Sequence, residues 1–261
     1  MKRIKITILM LFSAILSAMA QYSTLNAHSH NDYSNDIPFW LAYCNHFGSV
    51  EADIFTVGND LFVAHNESDI SPARSLDILY IQPIVKLFKH NGGKAWDDIS
   101  SSFQLLIDLK SPTEPTLSIL VEKLKKYPEV FDPKINKNAV HIVITGNRPL
   151  PEKFSDYPDF IFFDGVIGQK YNEQQLKRVA LFSENLTRFT KWNGRVDITD
   201  KDKIRLQNVI DSVHGLNSKV RFWNAPDDVN AWKIFMNLKV DYINTDHITM
   251  LYDFLNKKEM K

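Results

Sequence analysis

The 261-residue chain has one cysteine, Cys44, and no charge excess, with 31 Lys+Arg against 31 Asp+Glu. A single cysteine excludes an intramolecular disulfide framework and any multi-cysteine metal or iron–sulfur site. Cys44 itself reads as a small buried hydrophobe. Zero net charge argues against a nucleic-acid binder, which carries a basic excess on one face. The apolar run Ile6–Leu16 is too short for a membrane span, which needs ~20 residues. No low-complexity stretch, fixed-period repeat or Pro/Gly/Ser-rich linker divides the sequence, so one domain is the simpler reading. The hydrophobic content is 44% and the charged content 24%. That composition buries enough apolar surface to offset ordering entropy. The length suits an α/β barrel, which takes roughly 250 residues.

Residues 1–20 read as a secretory signal peptide. Lys2, Arg3 and Lys5 precede the apolar run, and Ser17-Ala18-Met19-Ala20 supplies a small-x-small cleavage pattern before Gln21. Cleavage removes three positive charges and no acid, leaving a mature chain of 241 residues at −3. The expectation is an exported, periplasmic or extracellular protein with no stable membrane span, its fold occupying 21–261.

Short apolar, β-branched or aromatic runs recur at Tyr22–Ala27, Ser49–Phe55, Phe103–Leu109, Val140–Thr145, Phe160–Phe163, Val179–Ser183, Val220–Trp223 and Val240–Asn244. Val57-Gly58-Asn59-Asp60 reads as a turn into a short extra strand, Leu61–Ala64. Helical spacing fills Ile37–His46, Leu76–Lys89, Thr116–Lys126, Asp200–Leu216, Asp227–Leu238 and His247–Asn256. The connections after Thr145 and Phe163 are weaker. Eight strands with intervening helices predict a (β/α)8 TIM barrel. His28, Asp53, Asp108, Asn147, Asp164, Asn185, Asn224 and Asp246 fall at or just past the ends of those runs, where barrel enzymes build active sites.

Residues i and i+2 of a strand share a face, so Glu51 and Asp53 project together. Two close carboxylates resist ionisation unless a cation or donor compensates. A hard divalent cation held by oxygens, Mg2+ or Ca2+, fits. The alternative is an exposed edge-strand face. Asp108 and Lys110 share a face by the same period. Asp108 is a candidate third carboxylate, and Lys110 offsets charge or holds an anionic oxygen. The alternative is a simple strand-end pair. Among the histidines, His28, His30 and His65 accompany the carboxylates and suit proton transfer near neutral pH. His46, His90, His141, His214 and His247 lack such company.

The order Asn26-Ala27-His28, Glu51-Ala52-Asp53, Val63-Ala64-His65 and Asp108-x-Lys110 resembles the glycerophosphodiester phosphodiesterase and phosphatidylinositol phospholipase C-like superfamily. Near the other end, Arg221-Phe222-Trp223-Asn224 and Val240-Asp241-Tyr242-Ile243-Asn244-Thr245-Asp246 resemble its strand-seven and strand-eight segments. The likeness covers roughly 24–110 and 219–250. Two positions depart from the pattern. Ser29-His30 stands where the family has Arg-Gly, which removes the usual phosphate-gripping arginine. Asp108-x-Lys110 replaces Glu-x-Lys and is closer to the sphingomyelinase D-like branch. The His30-Asn31-Asp32-Tyr33 string resembles the altered-inheritance-of-mitochondria protein 6 group.

The resemblance implies a barrel phosphodiesterase acting on a small glycerophosphodiester or phospholipid-type substrate. It implies Glu51, Asp53 and Asp108 as ligands of Mg2+ or Ca2+. His28 and His65 would be acid and base in unassigned order, and Lys110 would stabilise phosphoryl charge. Trp223 would wall the pocket, and His30 and Asn31 would supply donors in place of the arginine. A rival reading is a metal-dependent amidohydrolase using His28-x-His30, in which Glu51 and Asp53 have no obvious task. Another is a catalytically silent binding barrel, against which stands the retention of both histidines, all three acids and Lys110.

Overall fold

The computed structural model describes residues 22–256. Its strands are β1 (Ala27–Ser29), β2 (Ser49–Val57), β3 (Asp60–Val63), β4 (Gln104–Leu109), β5 (His141–Gly146), β6 (Ile161–Val166), β7 (Val179–Asn185), β8 (Lys219–Trp223) and β9 (Ile243–Thr245). β3 turns back antiparallel on β2 through Gly58 at φ +60°. The other strands run parallel in the order β8-β7-β6-β5-β4-β2-β1-β9. The two ends of that order meet at an Arg221–Tyr242 bridge, where Asp241 N–H donates to the Val220 carbonyl at 3.1 Å. The result is a nearly closed (β/α)8 barrel, as the alternating pattern predicts.

The helices are α1 (Trp40–Cys44), α2 (Gln82–His90), α3 (Thr113–Leu124), α4 (Pro128–Phe131), α5 (Glu173–Leu176), α6 (Asp200–His214), α7 (Val229–Asn237) and α8 (Ile248–Asn256). The longer ones bury one stripe against the sheet, such as Leu117, Leu120, Val121 and Leu124 of α3 or Leu206, Ile210 and Val213 of α6. Among the described residues no helix is long and apolar enough to cross a membrane. Inside the barrel, Leu106, Val143, Leu181 and Tyr242 form an apolar plug below the strand ends, which is how barrels of this kind fill their interior.

Three elements differ from the sequence expectation. The first strand begins at Ala27 rather than Tyr22, because Ser23 and Asn26 cap a 3-10 turn over Thr24–Asn26. His28 therefore lies within β1. The helix expected over Ile37–His46 shortens to α1, because Phe39 sits at φ +67° and its N–H donates to Asp32 Oδ2 at 2.6 Å, and Cys44 at its end, expected to be buried, is exposed. The stretch over Leu76–Lys89 opens into a wide π turn at Asp77–Ile81 before α2, where Pro83 has no N–H to complete ordinary helical pairing.

Candidate active site

Strand alternation sends Glu51 and Asp53 of β2 inward, and the register sets Glu51 beside Leu106 and Asp53 beside Asp108 of β4. Above the apolar plug the interior turns polar. It opens into a cleft of about 530 Å³ that includes His30, Asn31, Glu51, Asp53, His65 and Asp108. Lys110 and Trp223 also line it. Trp223 stands at the lip, 39% exposed.

At the floor of the cleft lies a buried ionic group, of which Glu51 and Arg221 line the cleft. His28 is fully buried, with Nδ1 2.6 Å from Ser49 Oγ and Nε2 2.9 Å from Glu51 Oε2. Arg221 Nη1 sits against the same nitrogen and donates to Glu51 Oε2 at 2.8 Å. Arg221 also donates to Ser183 Oγ and Asn244 Oδ1. Burial and the Arg221 charge push His28 down to about 3, so its imidazole is neutral. Burial alone would raise Glu51, but Arg221 and His28 hold its carboxyl well below the usual range. The sequence reading gave His28 a direct proton-transfer role. It lies outside the cleft lining, with both ring nitrogens engaged.

Asp53 is the hub of the second group. Its Oδ2 accepts from Tyr33 Oη at 2.6 Å and Lys110 Nζ at 2.9 Å, while Lys110 also reaches Asp108 Oδ2 at 2.8 Å. Burial and the charge of Glu51 push Asp53 up to about 6. Burial pulls Lys110 down, but Asp108 and Asp53 outweigh it and raise its pKa. The Tyr33 hydroxyl lies 3.0 Å from Nδ1 of His65, whose side chain is 61% exposed. Burial and Asp53 raise the Tyr33 pKa, so it stays a donor.

The third group joins the two ends of the chain. His30 Nδ1 lies 2.8 Å from Asp246 Oδ1, its Nε2 lies 3.8 Å from Glu51 Oε1, and Asn31 Nδ2 donates to Asp246 at 3.3 Å. Burial lowers His30, yet the Asp246 bond and the Glu51 charge more than offset it and raise its pKa. His28 Nε2 and His30 Nε2 both face the Glu51 carboxyl, at 2.9 and 3.8 Å, with the Arg221 guanidinium against the His28 nitrogen.

The oxygen-only donor set suits a hard cation. Asp53 Oδ1 is buried with no hydrogen-bond partner, which a cation would satisfy. Among the described residues no three His, Cys, Asp or Glu side chains gather as a ready cage, and Lys110 and Arg221 pair with Asp53 and Glu51. Sequence reasoning missed Tyr33, Arg148, Arg188 and Arg221. Arg221 could have been found, because it alternates with Val220 and Phe222 and shares the Trp223 face. Tyr33 had no periodic signal.

A family model described as the AIM6-like phosphodiesterase domain matches residues 17–164, and one for the glycerophosphoryl diester phosphodiesterase family matches 219–249. Altered inheritance of mitochondria protein 6 of Kluyveromyces lactis is 28% identical over 300 residues, covering 88% of this chain and 72% of that protein. The Lachancea thermotolerans protein of the same name is 26% identical, covering 85% of this chain and 63% of its own. A crystal structure of a glycerophosphodiester phosphodiesterase from Parabacteroides distasonis superposes with TM-score 0.54 at 14% identity, covering 88% of this chain and 94% of that one. It shares the fold. The curated relatives are yeast proteins whose name refers to the inheritance of mitochondria, and they overturn the expectation of a periplasmic or extracellular protein. The signal peptide expected over residues 1–20 lies outside the described residues.

Proposed function

Because this chain belongs to the AIM6-like phosphodiesterase family, we propose that it hydrolyses a small phosphodiester, of glycerophosphodiester or phospholipid-headgroup type, in the cleft at the barrel's strand ends. The observation that carries this reading is the meeting of Glu51, Asp53, Asp108, Lys110 and His65 in one cleft. Glu51, Asp53 and Asp108 would hold Mg2+ or Ca2+. A cation bound there would supply Lewis-acid polarisation of a phosphoryl oxygen.

The chain's own groups do the rest. Water attacks phosphorus and the bond to the leaving alcohol breaks. One imidazole takes the water's proton and another protonates the leaving oxygen. His65, steadied by Tyr33, and His30, backed by Asp246, are the imidazoles within reach of a bound diester. His28 serves as a positioning residue that fixes Glu51 and Arg221. Lys110 and Asn31 donate to phosphoryl oxygens, and Trp223 walls one side.

The test uses the purified full chain with bis(p-nitrophenyl) phosphate. Hydrolysis should require Mg2+ or Ca2+, stop with chelator, and fall steeply in Glu51→Ala and His65→Ala. Wild-type rates in both variants, or indifference to chelator, would sink the mechanism.

A further inference from the structure

The cleft holds two arginines that this chemistry does not use, Arg148 and Arg188, beside Asp164 and Glu184. Arg148 follows Gly146, which sits at φ +68° against Asp108; a Cβ there would lie 1.9 Å from Asp108 Oδ1. That close approach pins the loop to the site, and Arg148 lines the same cleft as the acids. Arg148 is half-buried, yet its only hydrogen bond among the described residues is a backbone one, its N–H donating to the Gly146 carbonyl at 2.8 Å.

Other half-buried or buried arginines are paired. Arg178 donates to the Tyr157, Pro158 and Ile161 carbonyls, and Arg221 to Glu51, Ser183 and Asn244. Among the described residues Arg148 makes no ion pair, although its charge acts on Asp164. Asp164 already accepts from Thr145 Oγ1 at 3.0 Å and Ser183 N–H at 2.8 Å, and Glu184 is taken by Arg188. A guanidinium that lines a cleft without an ion-pair partner is available to grip a carboxylate or phosphate. Arg188, 56% exposed and paired with Glu184, lines the same cleft.

We propose that Arg148, assisted by Arg188, receives a second anionic group carried on one alcohol of the substrate. The substrate class is then a phosphodiester bearing a further phosphate or carboxylate, not a choline-type zwitterion. This rests on the phosphodiesterase reading but is read out by binding alone, without turnover.

The experiment is calorimetric titration of the full chain with propyl phosphate, phosphocholine, 3-phosphooxypropanoate and 1,3-propanediol bisphosphate. At least one of the two probes that carry a second anionic group should bind about tenfold tighter than propyl phosphate, a difference of about 1.4 kcal/mol. Whether the carboxylate or the phosphate probe leads identifies the group. Phosphocholine should bind no tighter than propyl phosphate. Arg148→Gln should collapse the preference, and Arg148→Lys, which keeps the charge, should retain part of it. Equal affinities in the wild type, tightest binding of phosphocholine, or an intact preference in Arg148→Gln would overturn the proposal. Failure to hydrolyse any diester would count against the phosphodiesterase reading and leave these affinities readable.

Discussion

The Tyr33 hydroxyl donates to Asp53 Oδ2 at 2.6 Å, while Asp53 Oδ1, equally buried, has no partner. Lys110 also reaches Oδ2, at 2.9 Å. All the compensation for this carboxylate thus falls on one oxygen, and the other is left for something the polypeptide does not supply.

Tyr33→Phe removes the donor from Asp53 and the hydroxyl that steadies His65. We expect a stability loss of about 1–3 kcal/mol, the usual cost of stripping a buried polar group of its partner. The hydrolytic rate should fall at least about tenfold, which corresponds to about 1.4 kcal/mol of transition-state stabilisation. Urea denaturation and kcat/KM on bis(p-nitrophenyl) phosphate check the two parts separately.

Cation binding to the folded chain alone must stabilise it. Mg2+ or Ca2+ at about a hundred times its Kd should raise unfolding stability by about 2.7 kcal/mol. Asp53→Asn should erase the gain, because it removes the charge beside the orphaned oxygen. Thermal unfolding with and without each cation reads this directly, and no shift with either ion would count against the three-carboxylate site.

Glu51→Gln leaves Arg221, 4% exposed, without its counter-charge. Breaking a buried pair by removing one partner costs about 3–5 kcal/mol, so this variant should be severely destabilised. Arg221→Met in the same background should recover part of the loss. A Glu51→Gln protein as stable as the wild type would contradict the arrangement around His28.

Asp32 is buried and accepts from Ser29 Oγ, Phe39 N–H and Tyr80 Oη. Burial outweighs these bonds and pushes it up to about 6 from 3.8. A raised carboxyl pKa in the fold favours the folded state fully below the unfolded value. That contribution is lost as pH rises through the folded value. Stability should therefore decline between about pH 4 and pH 6, by an amount of order 3 kcal/mol from this group. Asp32→Asn should reduce the slope of that segment of the stability–pH curve measured by denaturant titration, leaving the share of Asp53, which is also raised to about 6.

Periodicity within a segment is a local property, and it carried much of the site. The alternation of β2 placed Glu51 and Asp53 on one face, and the hairpin after Val57 brought His65 back over them. The recurrence of strand and helix patterns was enough to predict the barrel. Other features depended on competition that spacing does not show. A capped 3-10 turn displaced the start of β1, and the Asp32 bond to Phe39 cut short the first helix. The contacts that give the cleft its electrostatics are longer-range still. Arg221 meets His28 across 193 positions, and His30 meets Asp246 across 216. By itself the sequence determined which side chains share a strand face and what chemistry they can do. Only the tertiary structure decided that His28 is walled off and neutral and that Arg221 neutralises Glu51. It also left Arg148 without an ion pair among the described residues. The reason is that closing the barrel sets the first strand beside the last, and burial of charge depends on that closure rather than on any local pattern.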